Sequence, residues 1–224
     1  MSDIFNEIDE EVRRDKALEF WTRNQNAIIA LAVVIVLATG GYRYWQYHSA
    51  QQEQAAGAAF QNALRLDADG KPQEARDALT KLQADAPKGY AQLSRFVEAG
   101  LTTKKDPKAG AAAFDALASD SSLDPLLRET AKLRAALALV AAGETAAARP
   151  ALEALAASGA YRDTARLTLA SLAISAKDYP AARTWLDGVI GDFSAPQSDR
   201  RTANALLGLV ASQAPALPPT PKKP

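Results

Sequence analysis

From Asn24 to Tyr42 the chain carries no charged side chain, a run of 19 positions between Arg23 and Arg43. Its first half holds Ile28, Ile29, Leu31, Val33, Val34, Ile35, Val36 and Leu37. Each such residue favours bilayer insertion by roughly 0.3–0.6 kcal/mol, and no central charge opposes the sum. A spanning helix takes about 20 residues, so the run predicts a transmembrane anchor over residues 27–47. Trp21 ahead of it, and Tyr42, Tyr44, Trp45 and Tyr47 behind it, are the amphipathic rings expected at the two membrane interfaces. Arg43 lies at the edge, where its stem reaches toward the headgroups. Gly40-Gly41, just inside the aromatic exit, leave room for another helix to come close.

Two other segments share this pattern, a buried core helix and a cleaved signal peptide. Core helices seldom run so far without a charge. Val36-Leu37-Ala38 imitates a cleavage site, but the 26 residues ahead of the run hold four Lys/Arg and seven Asp/Glu, whereas a signal peptide opens short and positive. Arg13, Arg14, Lys16 and Arg23 precede the anchor, and Arg43 is the only Lys or Arg from there to Leu64. That asymmetry predicts a cytoplasmic N-terminal segment, residues 1–26, with the remainder outside, in the periplasm of a Gram-negative cell. Within 1–20, Ile4, Ile8 and Val12 recur every four positions beside Phe5, as in a short amphipathic helix. A frayed acidic tail is the alternative there.

After the anchor, Ser49–Ala59 is polar and Ala-rich and should continue the same helix. From Ala56 onward apolar positions recur at spacings of three and four, among strong helix formers, and strand signals are missing. Four segments share one layout, a helix, a tight polar break and a second helix opening on a small residue. The breaks begin at Gly70, Lys105, Gly143 and Lys177, spaced by 35, 38 and 34 residues, close to the 34-residue period of tetratricopeptide repeats. Gly70 and Gly143 suit the left-handed turn that ends a helix. Pro72, Pro107 and Pro180 suit the first turn of the next. Ala75, Gly110, Ala148 and Ala182 are small where two helices cross. Leu79, Phe114, Leu152 and Leu186 follow four residues on, then Leu82, Leu117, Leu155 and Val189. Pro150 should kink or delay its helix. Ser198–Ser212 reads as a final amphipathic helix with Ser198 as N-cap, covering the last repeat. The predicted fold is therefore all-α: one transmembrane helix, a helical-repeat solenoid over 48–213, and an extended Pro-rich tail over 214–224.

Composition narrows the function. Lys+Arg and Asp+Glu are both 26, so no net field recruits nucleic acid. There is no cysteine for a disulfide or thiolate, and His48, the single histidine, cannot hold a metal alone. No nucleotide-binding, hydrolase or metalloprotease signature occurs. Asp67-Ala-Asp69-Gly70 imitates part of a calcium loop, but Arg65 and Arg76 occupy its first and twelfth ligand positions. No enzyme, cofactor or metal is expected. Aligning the first helices of the repeats on the small residue puts Phe60, Leu64, Arg95, Leu133, Leu137, Val140, Leu167 and Ile174 on or near a concave binding face. The same residues fit a plain core equally well.

Several local matches point further. Phe20-Trp21 and Asn24 precede the anchor, Gly41-Tyr-Arg-Tyr-Trp45 leaves it as G-x-R-Y-W, and Phe60-Gln-Asn-Ala63, Gly70-Lys-Pro72, Tyr90-Ala-Gln-Leu93 and Leu133-Arg-Ala-Ala136 follow. On these the chain resembles the YfgM family, ancillary subunits of the bacterial Sec translocon, along nearly its whole length. The resemblance implies an inner-membrane protein with a periplasmic tetratricopeptide domain beside the translocon channel. It also implies association with a membrane-anchored peptidyl-prolyl-isomerase-like chaperone, and help in passing secreted clients to periplasmic chaperones. A structural scaffold or assembly factor of another envelope complex remains open.

Overall fold

The computed structural model describes residues 2–213, apart from the side chains of residues 2–13, 15–17, 20 and 28. The Pro-rich tail over 214–224, and the side chains of Ile4, Phe5, Ile8 and Val12, thus lie outside the described residues. Nine α-helices and no strand occur among the described residues: α1 (Ser2–Ala68), α2 (Pro72–Asp85), α3 (Lys88–Lys105), α4 (Pro107–Ala118), α5 (Pro125–Ala141), α6 (Thr145–Ala157), α7 (Arg162–Ser175), α8 (Tyr179–Ile190) and α9 (Gln197–Gln213). The chain divides into two compact units, Met1–Gly57 and Ala58–Pro224.

The first unit lies within α1. That helix has 67 residues, against about 20 needed to cross a bilayer, and it runs unbroken through Ser49–Ala59. The charge-free stretch is the one segment among the described residues long and apolar enough to span a membrane. Within it the Thr39 hydroxyl donates to the Ile35 carbonyl at 2.7 Å, so this polar group is satisfied without water.

In the second unit each helix packs on the next, from α2 to α9, with α9 also touching α7. The helix pairs that fold about the four breaks are the end of α1 with α2, α3 with α4, α5 with α6, and α7 with α8. Three breaks close in the same way. Gly70 and Gly143 adopt positive φ, +77° and +79°. Lys71 N–H then donates to the Leu66 carbonyl at 2.9 Å, and Glu144 N–H to the Leu139 carbonyl at 2.9 Å. These bonds reach back five residues and satisfy carbonyls the helix end leaves open. At the fourth break Lys177 takes φ +58° and Asp178 N–H donates to the Ala173 carbonyl at 2.9 Å. The second break has no left-handed residue. There Asp106 caps α4, its Oδ1 accepting from Lys108 N–H at 3.0 Å and Ala109 N–H at 3.1 Å.

The small and apolar rows fall inside. Ala75, Ala148 and Ala182 are fully buried, and so are Leu79, Leu152, Leu186 and Val189. Phe114, Leu82, Leu117 and Leu155 are buried with them. Pro150 does not delay its helix, because α6 already starts at Thr145 and places Pro150 in its second turn, where only one backbone bond is lost. α9 starts at Gln197, so Ser198 lies inside its first turn and donates to Asp199 Oδ1 instead of capping.

Gly110 shows how close α3 and α4 come. A Cβ there would lie 2.5 Å from the Thr103 Cα, and closer still to the Thr103 hydroxyl. Helix propensity alone would gain about 1 kcal/mol from Gly110→Ala. Overpacking against a backbone atom costs about 1–3 kcal/mol, so Gly110→Ala should lower the urea midpoint. A raised midpoint would mean the crossing has slack.

Candidate protein-binding groove and membrane-exit face

The walls of an open groove in the repeat unit come from alternate helices. The end of α1 supplies Leu64 and Asp67, α3 supplies Leu93, Phe96, Val97, Gly100, Leu101, Thr103 and Lys104, and α5 supplies Thr130, Arg134, Leu137 and Ala138, with Phe114 of α4 beneath. Spacing explains the sharing. Leu93, Phe96, Val97, Gly100, Leu101 and Lys104 recur at three and four along α3, which is one stripe of a helix. Thr130, Arg134, Leu137 and Ala138 form the same kind of stripe on α5. The groove is open, holds about 630 Å³ and is lined mainly by apolar side chains. Lys104 Nζ donates to Asp67 Oδ2 at 2.6 Å across its rim.

The predicted binding residues divide. Leu64 and Leu137 both line this groove, and Leu137 packs on the core around Leu152 as well. Phe60 is half-buried against the cluster of Ala63, Ala75, Leu79 and Leu101, with its ring 6.1 Å from that of Tyr90. Leu133 is buried in the core around Leu152, and Val140 packs on that core. Leu167 and Ile174 pack on the core around Leu186. Arg95 turns to Asp120, its Nη1 donating to Oδ2 at 2.6 Å. Leu93, Phe96 and Arg134 were missed because the alignment phased α3 and α5 on the small residue. The stripes from Leu93 to Lys104 on α3 and from Thr130 to Ala138 on α5 were the signals that would have found them.

Asp120 is held as a carboxylate. Hydrogen bonds from Ser122 and then Arg95 draw its pKa down from 3.8 to about 2, and the Ser122 N–H lies 2.9 Å from Oδ1. A carboxyl whose folded pKa is depressed contributes stability above its unfolded value and loses it as pH falls through the folded one. The stability gap between the native chain and Asp120→Asn should therefore be constant above about pH 5 and should narrow progressively between about pH 5 and pH 1. Urea midpoints of both chains across that range test it, and a gap as wide at about pH 2 as at about pH 6 would contradict it.

Near the other end of the repeat unit, Asp192 binds the Arg162 guanidinium and also lies 3.5 Å from Arg166 Nη1. Arg166 reaches the Ala156 carbonyl at 3.1 Å and the Gly188 carbonyl at 3.0 Å. This knot ties α6, α7 and α8 to the turn carrying Phe193, which is 95% exposed. Hydrogen bonds from Ser194, chiefly, keep the Asp192 pKa low.

Along α1, Trp21, Tyr42, Tyr44 and Trp45 are all exposed, as is Arg43. Tyr42 and Trp45 rings lie 6.4 Å apart, and Tyr44 stacks on His48 at 6.3 Å with near-parallel planes. Nothing lies within 4 Å of where a Cβ would stand on Gly40 or Gly41. One stretch of helix thus carries an aromatic collar next to a bare strip of backbone.

With this geometry in view, the comparisons are specific. Residues 18–159 match the family described as tetratricopeptide repeat-like domain. A protein of Escherichia coli named ancillary SecYEG translocon subunit is 29% identical over 175 residues, covering 76% of this chain and 84% of that protein. A protein of Haemophilus influenzae with the same name is 27% identical over 127 residues, covering 57% of this chain. That second match spans 62% of the relative's own length, less than two thirds. No solved structure matches the chain. Both names bear out the resemblance carried by G-x-R-Y-W and the repeat motifs.

Proposed function

Because this chain belongs to the tetratricopeptide repeat-like domain family, we propose that it is a membrane-anchored adaptor of the Sec translocon. In this reading residues 1–26 are cytoplasmic, 27–47 cross the inner membrane, and the repeat unit lies in the periplasm. The aromatic exit of the anchor, with Gly40 and Gly41, docks on a membrane partner beside the channel. The groove of the repeat unit holds polypeptide and aids its transfer to periplasmic chaperones, among them a membrane-anchored isomerase-like one. The protein acts by binding, without catalysis.

The observation that carries this reading is the pairing, in one chain, of a bilayer-length apolar helix with a repeat unit bearing an open apolar groove. An apolar surface of that kind calls for a partner, and the relatives' shared name supplies the complex. Basic residues concentrated before the anchor support the orientation.

Affinity purification from detergent-solubilised inner membranes tests the association. A tag on the repeat unit should retrieve the translocon channel, and a reporter fused after Gln213 should be active only in its periplasmic form. Retrieval of a different envelope complex without the channel would make the protein a scaffold or assembly factor there.

A further inference from the structure

The chemistry of the groove restricts what it takes. Resting on the adaptor reading above, we propose that the groove between α1, α3 and α5 binds a short apolar polypeptide segment carrying an acidic side chain, with Arg134 as the partner of that carboxylate.

Three charged side chains line the groove, Asp67, Lys104 and Arg134. Asp67 and Lys104 neutralise each other at 2.6 Å. Arg134 is exposed, and no group among the described residues pairs with it. The lining hydroxyls are already engaged. Thr103 donates to the Ala99 carbonyl at 2.8 Å, and Thr130 bonds the Leu126 carbonyl at 2.8 Å and the Tyr161 hydroxyl at 2.7 Å. The guanidinium is therefore the polar group left for an occupant, and it sits three residues from Leu137 on the same helix stripe.

Each class of occupant meets that cation differently. A purely apolar segment would cover it without a partner, which costs the desolvation of a charge. A basic segment would set like charges together. A carboxylate gains a charge-assisted, fork-shaped pair of hydrogen bonds, the geometry for which arginine is suited. The volume of about 630 Å³ lies within the range of ligand-sized clefts, about 300–1,000 Å³. It holds a few side chains of a segment, not the face of a folded domain.

The test uses the full chain in lipid nanodiscs and fluorescently labelled, amidated peptides of sequence Gly-Ser-Leu-Phe-Asp-Leu-Leu-Ser-Gly, with Asn or Lys replacing Asp in two controls. Empty nanodiscs correct for binding to lipid. Fluorescence anisotropy should show the Asp peptide binding about tenfold more tightly than the Asn peptide, with the Lys peptide weakest. Arg134→Ala should erase the difference between Asp and Asn, and Arg134→Asp should reverse the order of Asp and Lys. Leu137→Asp should weaken all three. Because Arg134 is exposed, its variants should keep the native unfolding midpoint, measured alongside. Equal binding of Asp and Asn peptides, or a preference that survives Arg134→Ala, would overturn the proposal. So would dimers that Leu137→Asp disrupts, since they assign the groove to a second copy of this chain. Retrieval of the translocon channel by Arg134→Ala separates the two readings, since it persists when only the groove chemistry is wrong.

Discussion

Leu152→Ala is expected to destabilise the repeat unit by about 2–5 kcal/mol, toward the upper part of that range. Leu152 is fully buried where α6 meets α5 and α7, among Leu133, Leu155, Leu169 and four alanines, Ala136, Ala148, Ala156 and Ala165. Truncation removes apolar contact and leaves a cavity whose cost depends on how far its walls collapse. Alanine has no rotamer to swing into the gap. The walls also belong to three different helices, so closing the cavity means moving helices, and most of it should remain. Leu126→Ala is the control, since Leu126 is 51% exposed and surface truncations usually stay within about 0.5 kcal/mol. Urea unfolding of both variants should separate them clearly. A silent Leu152→Ala would mean that the second helices of the repeats do not form the core.

The second large effect concerns the anchor. Exchanging residues 24–47 for an unrelated spanning helix should abolish retrieval of the translocon channel while the unfolding midpoint of the repeat unit stays unchanged. Lipid is as apolar as leucine, so helices associate within a bilayer through close packing and polar contacts. Gly40 and Gly41 offer the close approach, and Tyr42, Tyr44 and Trp45 offer rings just beyond it. A generic helix keeps the membrane attachment and loses both features. Leu137→Asp should act in the opposite sense, leaving channel retrieval intact and weakening polypeptide capture. If the exchanged anchor still retrieves the channel, α1 is a tether and docking belongs to the repeats.

The fold was legible where chain geometry leaves few choices. A small residue followed four positions later by a large one, repeated at a spacing near 34, describes two helices crossing closely, and all four breaks fall at observed helix boundaries. The left-handed turn at Lys177 was not legible, because that conformation usually selects glycine. Here the bond from Asp178 N–H to the Ala173 carbonyl closes the same turn around a lysine. Pro150 misled because its penalty depends on depth in the helix, which the sequence leaves uncertain by a residue or two. The groove was harder to read. Each first helix of a repeat is apolar on more than one side, since it packs on helices before and after it. Leu133 and Leu137 lie one turn apart on the same face of α5, yet Leu133 is buried in the core around Leu152 while Leu137 packs on that core and also lines the groove. Arg95 and Phe96 are one residue apart, yet one pairs with Asp120 and the other lines the groove.

The most direct test of an adaptor with two binding surfaces is site-specific photo-crosslinking in living cells. A photoreactive residue replaces Trp45 in one strain and Leu137 in another. Position 45 should capture the translocon channel, and position 137 should capture secreted polypeptides or a periplasmic chaperone. Capture of the channel only from position 137, or only lipid at position 45 and no polypeptide at position 137, would contradict it.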